Sequence, residues 1–200
     1  MNLNILKIIL IATSFLPVQL FSQSEAGYKL LALGGVFSPS DDEIRNIYGD
    51  ALLGKVELAA PLSPFSRLRL GANVFSRNGD PFYQSGDFNA GDVADLTLKG
   101  VSLSLETNPF RKNKTQVQLY FGAGVDYVFA NEEILGRETG DGSAIGAHIS
   151  VTPEFPLSQR VSFVAEASYR WLEITFKSGR NRYKFNLSGA SLLIGLALRL

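Results

Sequence analysis

The sequence predicts an all-β fold: an eight-stranded antiparallel up-and-down transmembrane β-barrel. Three observations predict it. Eight stretches alternate apolar and polar residues, and a period of two is the signature of a strand with unlike faces. Long polar connections alternate with tight turns between those stretches, as in barrels elaborated at one end only. The chain also opens with a short apolar run bounded by a lysine and a proline, the pattern of a secretory signal.

The N-terminal pattern sets the domain boundaries. Lys7 is the only charge before Glu25, and Ile8 to Leu16 is apolar apart from Thr13 and Ser14. Pro17 follows, then Phe21-Ser22-Gln23-Ser24. This predicts a signal peptide over 1–24, cut after Ser22 or Ser24, and a barrel domain over 25–200. The run is shorter than the ~20 residues a spanning helix needs. No later stretch has helix-spanning length without charges, so a membrane crossing here requires a closed barrel with every backbone group paired.

Eight strands follow in order: Gly27–Phe37, Ile47–Ala60, Phe65–Ser76, Leu96–Thr107, Thr115–Ala130, Ala144–Phe155, Arg160–Phe176 and Tyr183–Leu200. The polar connections Ser38–Asn46, Arg77–Asp95 and Asn131–Ser143 are long, and the basic Lys177–Arg182 is shorter. The intervening ones are turn-like, at Pro61–Pro64, Asn108–Lys114 and Pro156–Gln159.

Each strand has readable faces, with two exceptions. Phe121, Ala123, Val125, Tyr127 and Phe129 oppose Tyr120, Gly122, Gly124 and Asp126. Leu68, Leu70, Ala72 and Val74 oppose Arg67, Arg69, Gly71 and Asn73, and Val56 and Leu58 oppose Lys55 and Glu57. Ile145, Ala147, Ile149 and Val151 oppose Gly146, His148, Ser150 and Thr152. Phe163, Tyr169 and Trp171 oppose Glu166 and Arg170, while Leu192, Ile194, Leu196, Leu198 and Leu200 oppose Ser191, Gly195, Ala197 and Arg199. The fourth strand changes phase at Lys99-Gly100, which either a bulge at Gly100 or a later strand start explains. The first is apolar on both sides and has no assignable phase.

Alternation does not say which face is inside. A secreted lipocalin-like barrel would enclose the leucines instead. Three features favour the opposite orientation. Glycine collects on the polar face, where an eight-stranded lumen has little room and a solvated strand would only be weakened. The polar face balances Lys55, Arg67, Arg69, Arg170 and Arg199 against Glu57, Glu106, Asp126, Glu154 and Glu166, which suits enclosed, mutually paired ions. With His148 these residues form the expected lumen network. The aromatics Tyr127, Phe129, Phe163, Tyr169 and Trp171 lie toward strand ends on the apolar face, as interfacial girdles do.

The pattern resembles the small OmpA/OmpX-type outer-membrane barrels of Gram-negative bacteria across Gly27 to Leu200. Gly195-Leu196-Ala197-Leu198-Arg199-Leu200 is similar to the C-terminal assembly signal of that class. The resemblance implies an outer-membrane location with both termini periplasmic. It also implies insertion by the barrel-assembly machinery, and surroundings of lipid and lipopolysaccharide. A monomer is expected. Structural, adhesive, protective and enzymatic members all occur, so the class does not imply one activity.

Chemistry is sparsely encoded. Net charge is zero and cysteine is absent. These exclude a basic nucleic-acid footprint, a disulfide scaffold and a thiolate metal site. No cofactor or nucleotide motif occurs. His148 precedes Ser150 by two, with Glu154 beyond. His-x-Ser on a strand resembles the outer-membrane lipid A 3-O-deacylases, whose serine is activated by histidine and carboxylate. Here both residues face the lumen and Val151 replaces the usual asparagine. Lys177, Arg180, Arg182 and Lys184 could meet lipopolysaccharide phosphates, and Asp41-Asp42-Glu43 and Glu132-Glu133 read as solvated acidic loops. The expected function is a non-enzymatic barrel with a plugged polar lumen and long surface loops. The alternatives are a conduit for small apolar molecules, lined by Phe75, Leu193 and Val164 as in OmpW-type barrels, and a deacylase-like enzyme.

Overall fold

The computed structural model describes residues 27–79, 94–110, 117–134, 137–178 and 181–200. The expected signal peptide and most of the Arg77–Asp95 connection lie outside the described residues. Among the described residues, ten strands and one short helix are formed: β1 (Lys29–Pro39), α1 (Asp42–Tyr48), β2 (Ala51–Pro61), β3 (Ser66–Gly79), β4 (Ala94–Thr107), β5 (Gln118–Ile134), β6 (Arg137–Pro156), β7 (Val161–Trp171), β8 (Glu173–Ser178), β9 (Asn181–Asn186) and β10 (Gly189–Arg199).

All pairing is antiparallel, running from β5 through β4, β3, β2, β1, β10 and β7 to β6, and β6 returns to β5. The wall is therefore a closed eight-stranded barrel. Two expected strands are divided: β7 continues as β8, and β9 leads into β10. The faces do not change at the breaks, since Leu172, Ile174 and Phe176 all remain buried. Only the ladder is interrupted. The Ser188 hydroxyl accepts the Leu172 N–H at 3.0 Å, and Leu187 donates to the Leu172 carbonyl at 2.8 Å.

Three further expectations are corrected. The Asn131–Ser143 connection is not an irregular loop: β5 and β6 pair through most of it, with a register shift between Glu132 and Glu133. The second strand starts at Ala51 rather than Ile47, because α1 occupies the preceding residues. Asp41 caps that helix by accepting the Ile44 N–H at 3.3 Å, and Gly49 ends it at φ 62°, where a side chain would be strained. Lastly, β4 has no bulge at Gly100. Its pairing with β3 and with β5 is continuous, and Leu96, Leu98, Gly100, Ser102, Ser104 and Glu106 all point inward. Leu96 and Leu98 line the interior, so the apparent phase change is a change in what fills the barrel.

Closure joins the first strand to the last. β1 pairs with β10 from Lys29↔Arg199 to Pro39↔Gly189. The two backbones approach closely at glycines: a Cβ on Gly35 would overlap the Leu192 carbonyl, and one on Gly195 the Ala32 carbonyl. Gly195→Val is expected to cost about 1–3 kcal/mol by overpacking this seam. Denaturant titration of the refolded barrel checks it, against Gly34→Ala on the same seam, where an added Cβ has nothing within 4 Å.

Candidate functional site

The two faces of the wall differ as oil differs from salt. Outside, Leu52, Leu70, Val101, Leu105, Val125, Ile145, Leu192 and Ile194 are exposed. A contiguous apolar exterior of this extent belongs in hydrocarbon rather than water. Aromatic pairs mark its two margins. Tyr127 stacks edge-on against Phe129 at 4.7 Å and Tyr169 against Trp171 at 5.0 Å near one end. Phe155 meets Phe163 at 6.1 Å and Phe110 meets Phe121 at 6.4 Å near the other. Phe121 to Phe129 is eight residues, about 26 Å of strand. A tilt of ~40° turns that into about 20 Å of barrel height before the rings themselves are added. That approaches the ~25 Å apolar band of outer-membrane barrels.

Inside, the short-turn half is ionic. One continuous cluster runs Lys29, Glu154, Arg67, Glu106, Arg69, then Glu57, Glu166 and Lys55. Lys29 bonds to Glu154, whose other oxygen takes Arg67 Nη1 at 2.9 Å. Arg67 Nε reaches Glu106 at 2.5 Å, and its guanidinium covers the Tyr120 ring at 3.7 Å. Arg69 holds Glu106 and Glu166 at 2.5 Å each, and also Glu57. Lys55 closes the circuit to Glu57 at 3.0 Å and Glu166 at 2.9 Å. Thr152 donates to Glu106 at 3.1 Å. A second cluster joins Asp126 to His148 at 2.8 Å and to Arg170 at 3.3 Å. The first cluster has four cations and four carboxylates, the second one of each beside the histidine. The first is neutral as a set, which is what burial of charge requires.

Local sequence explains how so many side chains fit. Arg67 and Glu106 are cross-strand partners, so their pairing follows from register. A Cβ on Gly71 would come within 2.6 Å of Glu57, one on Gly122 within 2.9 Å of Glu106, and one on Gly124 within 2.7 Å of His148. These three glycines make room for carboxylates and imidazole.

Toward the hairpin end the filling becomes apolar. Leu33, Phe37, Leu53, Phe75, Leu96, Leu98, Val128, Leu172, Ile174, Phe176 and Leu187 pack as one buried cluster, with Ile44 and Tyr48 of α1 joining it. Phe37 and Phe75 meet edge-on at 5.6 Å. Tyr48 donates to Glu132 at 2.5 Å, and Arg77 donates to the Tyr48 carbonyl at 2.9 Å, pinning the helix over the lumen. Phe75, Leu193 and Val164, the residues expected to line a conduit, are themselves buried filling, at 3%, 1% and 0% exposure.

The expected site residues are distributed as follows. Lys55, Glu57, Arg67, Arg69, Glu106, Asp126, His148, Glu166 and Arg170 come together in the two clusters. Arg199 does not: it is exposed, and among the described residues no carboxylate lies within 4 Å of it. Glu154 sits in the larger cluster, bound by Lys29 and Arg67, and does not orient His148. The carboxylate on His148 is Asp126, so the arrangement His148–Ser150–Glu154 is not assembled as a triad. Lys29 joins the network without being readable from sequence, because Leu30 to Leu33 obscure the phase of β1. Outside the lumen, Asp41 caps α1 and Asp42 pairs with Arg45. Lys184 pairs with Glu173 at 2.8 Å, and that hydrogen bond and charge raise its pKa above the usual lysine value.

A closed eight-stranded barrel with apolar exterior, aromatic margins and a filled ionic lumen is the architecture of the small outer-membrane barrels. Comparison with solved structures agrees. The chain is similar to the outer membrane protein OprG of Pseudomonas aeruginosa, with a TM-score of 0.68 at 15% identity, covering 88% of this chain and 96% of that one. It is also similar to a major outer membrane protein of Thermus thermophilus, with a TM-score of 0.60 at 15% identity over 88% of this chain and 100% of that one. Neisserial surface protein A gives 0.59 at 13% identity over 89% and 100%. At these identities the likeness is one of fold. No protein-family model and no curated protein matches the chain in sequence.

Proposed function

We propose that the protein is a non-enzymatic barrel of the bacterial outer membrane, monomeric and closed to ions. In this reading residues 1–24 are a cleaved signal peptide. The short-turn end, with both termini, faces the periplasm. The hairpin end, carrying α1, β8 and β9, faces outward and makes the surface contacts. The observation that carries the proposal is the coincidence of two fillings in one lumen: a neutral ion cluster below and an apolar core above. Porins of about 16–18 strands leave an aqueous channel, whereas an eight-stranded wall has an interior that side chains or one small ligand fill. The aromatic margins and exposed leucines support lipid as the surrounding medium.

Planar-bilayer recording tests the closed lumen. The refolded protein is expected to give no steady ion current above the bare bilayer. A reproducible single-channel step would overturn the plug and favour the conduit reading. In cells, the protein should fractionate with the outer membrane and migrate faster on gels before heating than after. The same material should release no fatty acid from lipid A; release abolished by Ser150→Ala would establish the enzymatic reading instead.

A further inference from the structure

The short-turn mouth of the lumen holds a cavity of about 40 Å³ lined by Gly27, Lys29, Ser66, Arg67, Tyr120 and Arg199, among others. Lys29 and Arg67 belong to the balanced cluster behind it, and Arg199 adds a further positive charge at its rim. Three cations face it. Glu154, the carboxylate that Lys29 and Arg67 share, already has one oxygen on each. Glu106 is shared between Arg67 and Arg69. Arg199 has no acidic partner within 4 Å among the described residues. Arg67 is 5% exposed, yet its Nη2 has no hydrogen-bond partner among them. A buried guanidinium N–H left unmatched is costly, and an oxyanion is the group that satisfies guanidinium and ammonium donors together.

We propose that this mouth binds a single oxyanion group, a phosphate or carboxylate, between Lys29, Arg67 and Arg199. At ~10–15 Å³ per enclosed water the cavity admits about three waters, the space of one such group and no more. The anion is therefore either free or the exposed head of a larger molecule, such as a phospholipid at the adjoining leaflet. The site does not depend on how the hairpin end is used.

The test is backbone-amide NMR on the refolded, signal-free chain in a phosphate-free detergent, titrated with sodium phosphate and, separately, sodium acetate at constant ionic strength. Saturable shifts are expected at Gly27, Lys29, Ser66 and Arg199. Arg199→Gln should weaken binding tenfold or more, in keeping with the loss of a charge-assisted hydrogen bond. The variant's folding is checked by heat-modifiable migration, and Arg199 has no ion-pair partner among the described residues whose loss would unfold it. Arg160→Gln, at the same end but outside the cavity, should leave binding unchanged. Lipid bicelles without added phosphate distinguish the source: the same shifts there identify a headgroup, and shifts only on adding salt identify a free anion. Three results overturn the proposal. They are the absence of saturable shifts, an equal loss in Arg160→Gln, and binding that emerges only when Glu25, two residues before Gly27, is changed to Gln.

Discussion

Arg69→Met should destabilise the barrel by about 3–5 kcal/mol, the usual cost of removing one partner from a buried ion cluster. Arg69 is 1% exposed and bonds to Glu57, Glu106 and Glu166. Methionine replaces much of its volume, so little of the loss is a cavity. The rest is three carboxylates that have lost their common cation. Lys55 still holds Glu57 and Glu166, and Arg67 still holds Glu106, which keeps the loss from being larger. Equilibrium unfolding in urea, with refolding into vesicles to establish reversibility, gives the number. Adding Glu166→Gln should recover part of it, because the two changes share a partner and are not additive. A loss below about 1 kcal/mol would mean that water reaches the cluster and screens it.

Leu103→Arg should cost about 2–4 kcal/mol in a bilayer. Leu103 is 44% exposed and lies opposite Val125, the midpoint between Phe121 and Phe129 on β5. Its neighbour Ser102 is 3% exposed and faces inward. Its hydroxyl has no hydrogen-bond partner among the described residues. Ser102→Ala should therefore change stability by less than about 1 kcal/mol, since no bond is broken. The pair separates lipid from lumen at adjacent residues. If Leu103→Arg is as mild as Ser102→Ala in vesicles, the exterior does not meet hydrocarbon.

The wall of this barrel is legible in the sequence because both signals for it are local. A period of two gives the strands, and glycine on the ionic side gives the orientation. Register then follows wherever a turn is short. What fills the barrel is less legible, for a physical reason. Leu96 and Leu98 are apolar because they pack against Val128, Ile174 and Phe176, and hydropathy does not distinguish an apolar core from lipid. The same ambiguity hides the phase of β1 and with it Lys29. The helix escapes because two turns are too short for a periodic stripe, although Asp41 and Gly49 are its ordinary cap residues. Membership of the ion network is legible from facing alone, whereas its pairings are not. Arg69 and Glu166 are 97 residues apart in sequence and meet across the lumen, where no ladder dictates who touches whom. Arg199 shows the converse: the right face, but Glu154, which its register partner Lys29 reaches, is already shared by Lys29 and Arg67.

The equal numbers of opposite charges in the lumen bear on behaviour under an electric field. A potential across a membrane acts on each enclosed group at ~2.3 kcal/mol per elementary charge per 100 mV. With Lys29, Lys55, Arg67, Arg69 and Arg170 set against Glu57, Glu106, Asp126, Glu154 and Glu166, those forces cancel. In the proposed reading, a Donnan potential of either sign therefore exerts no net force on the lumen filling as a whole.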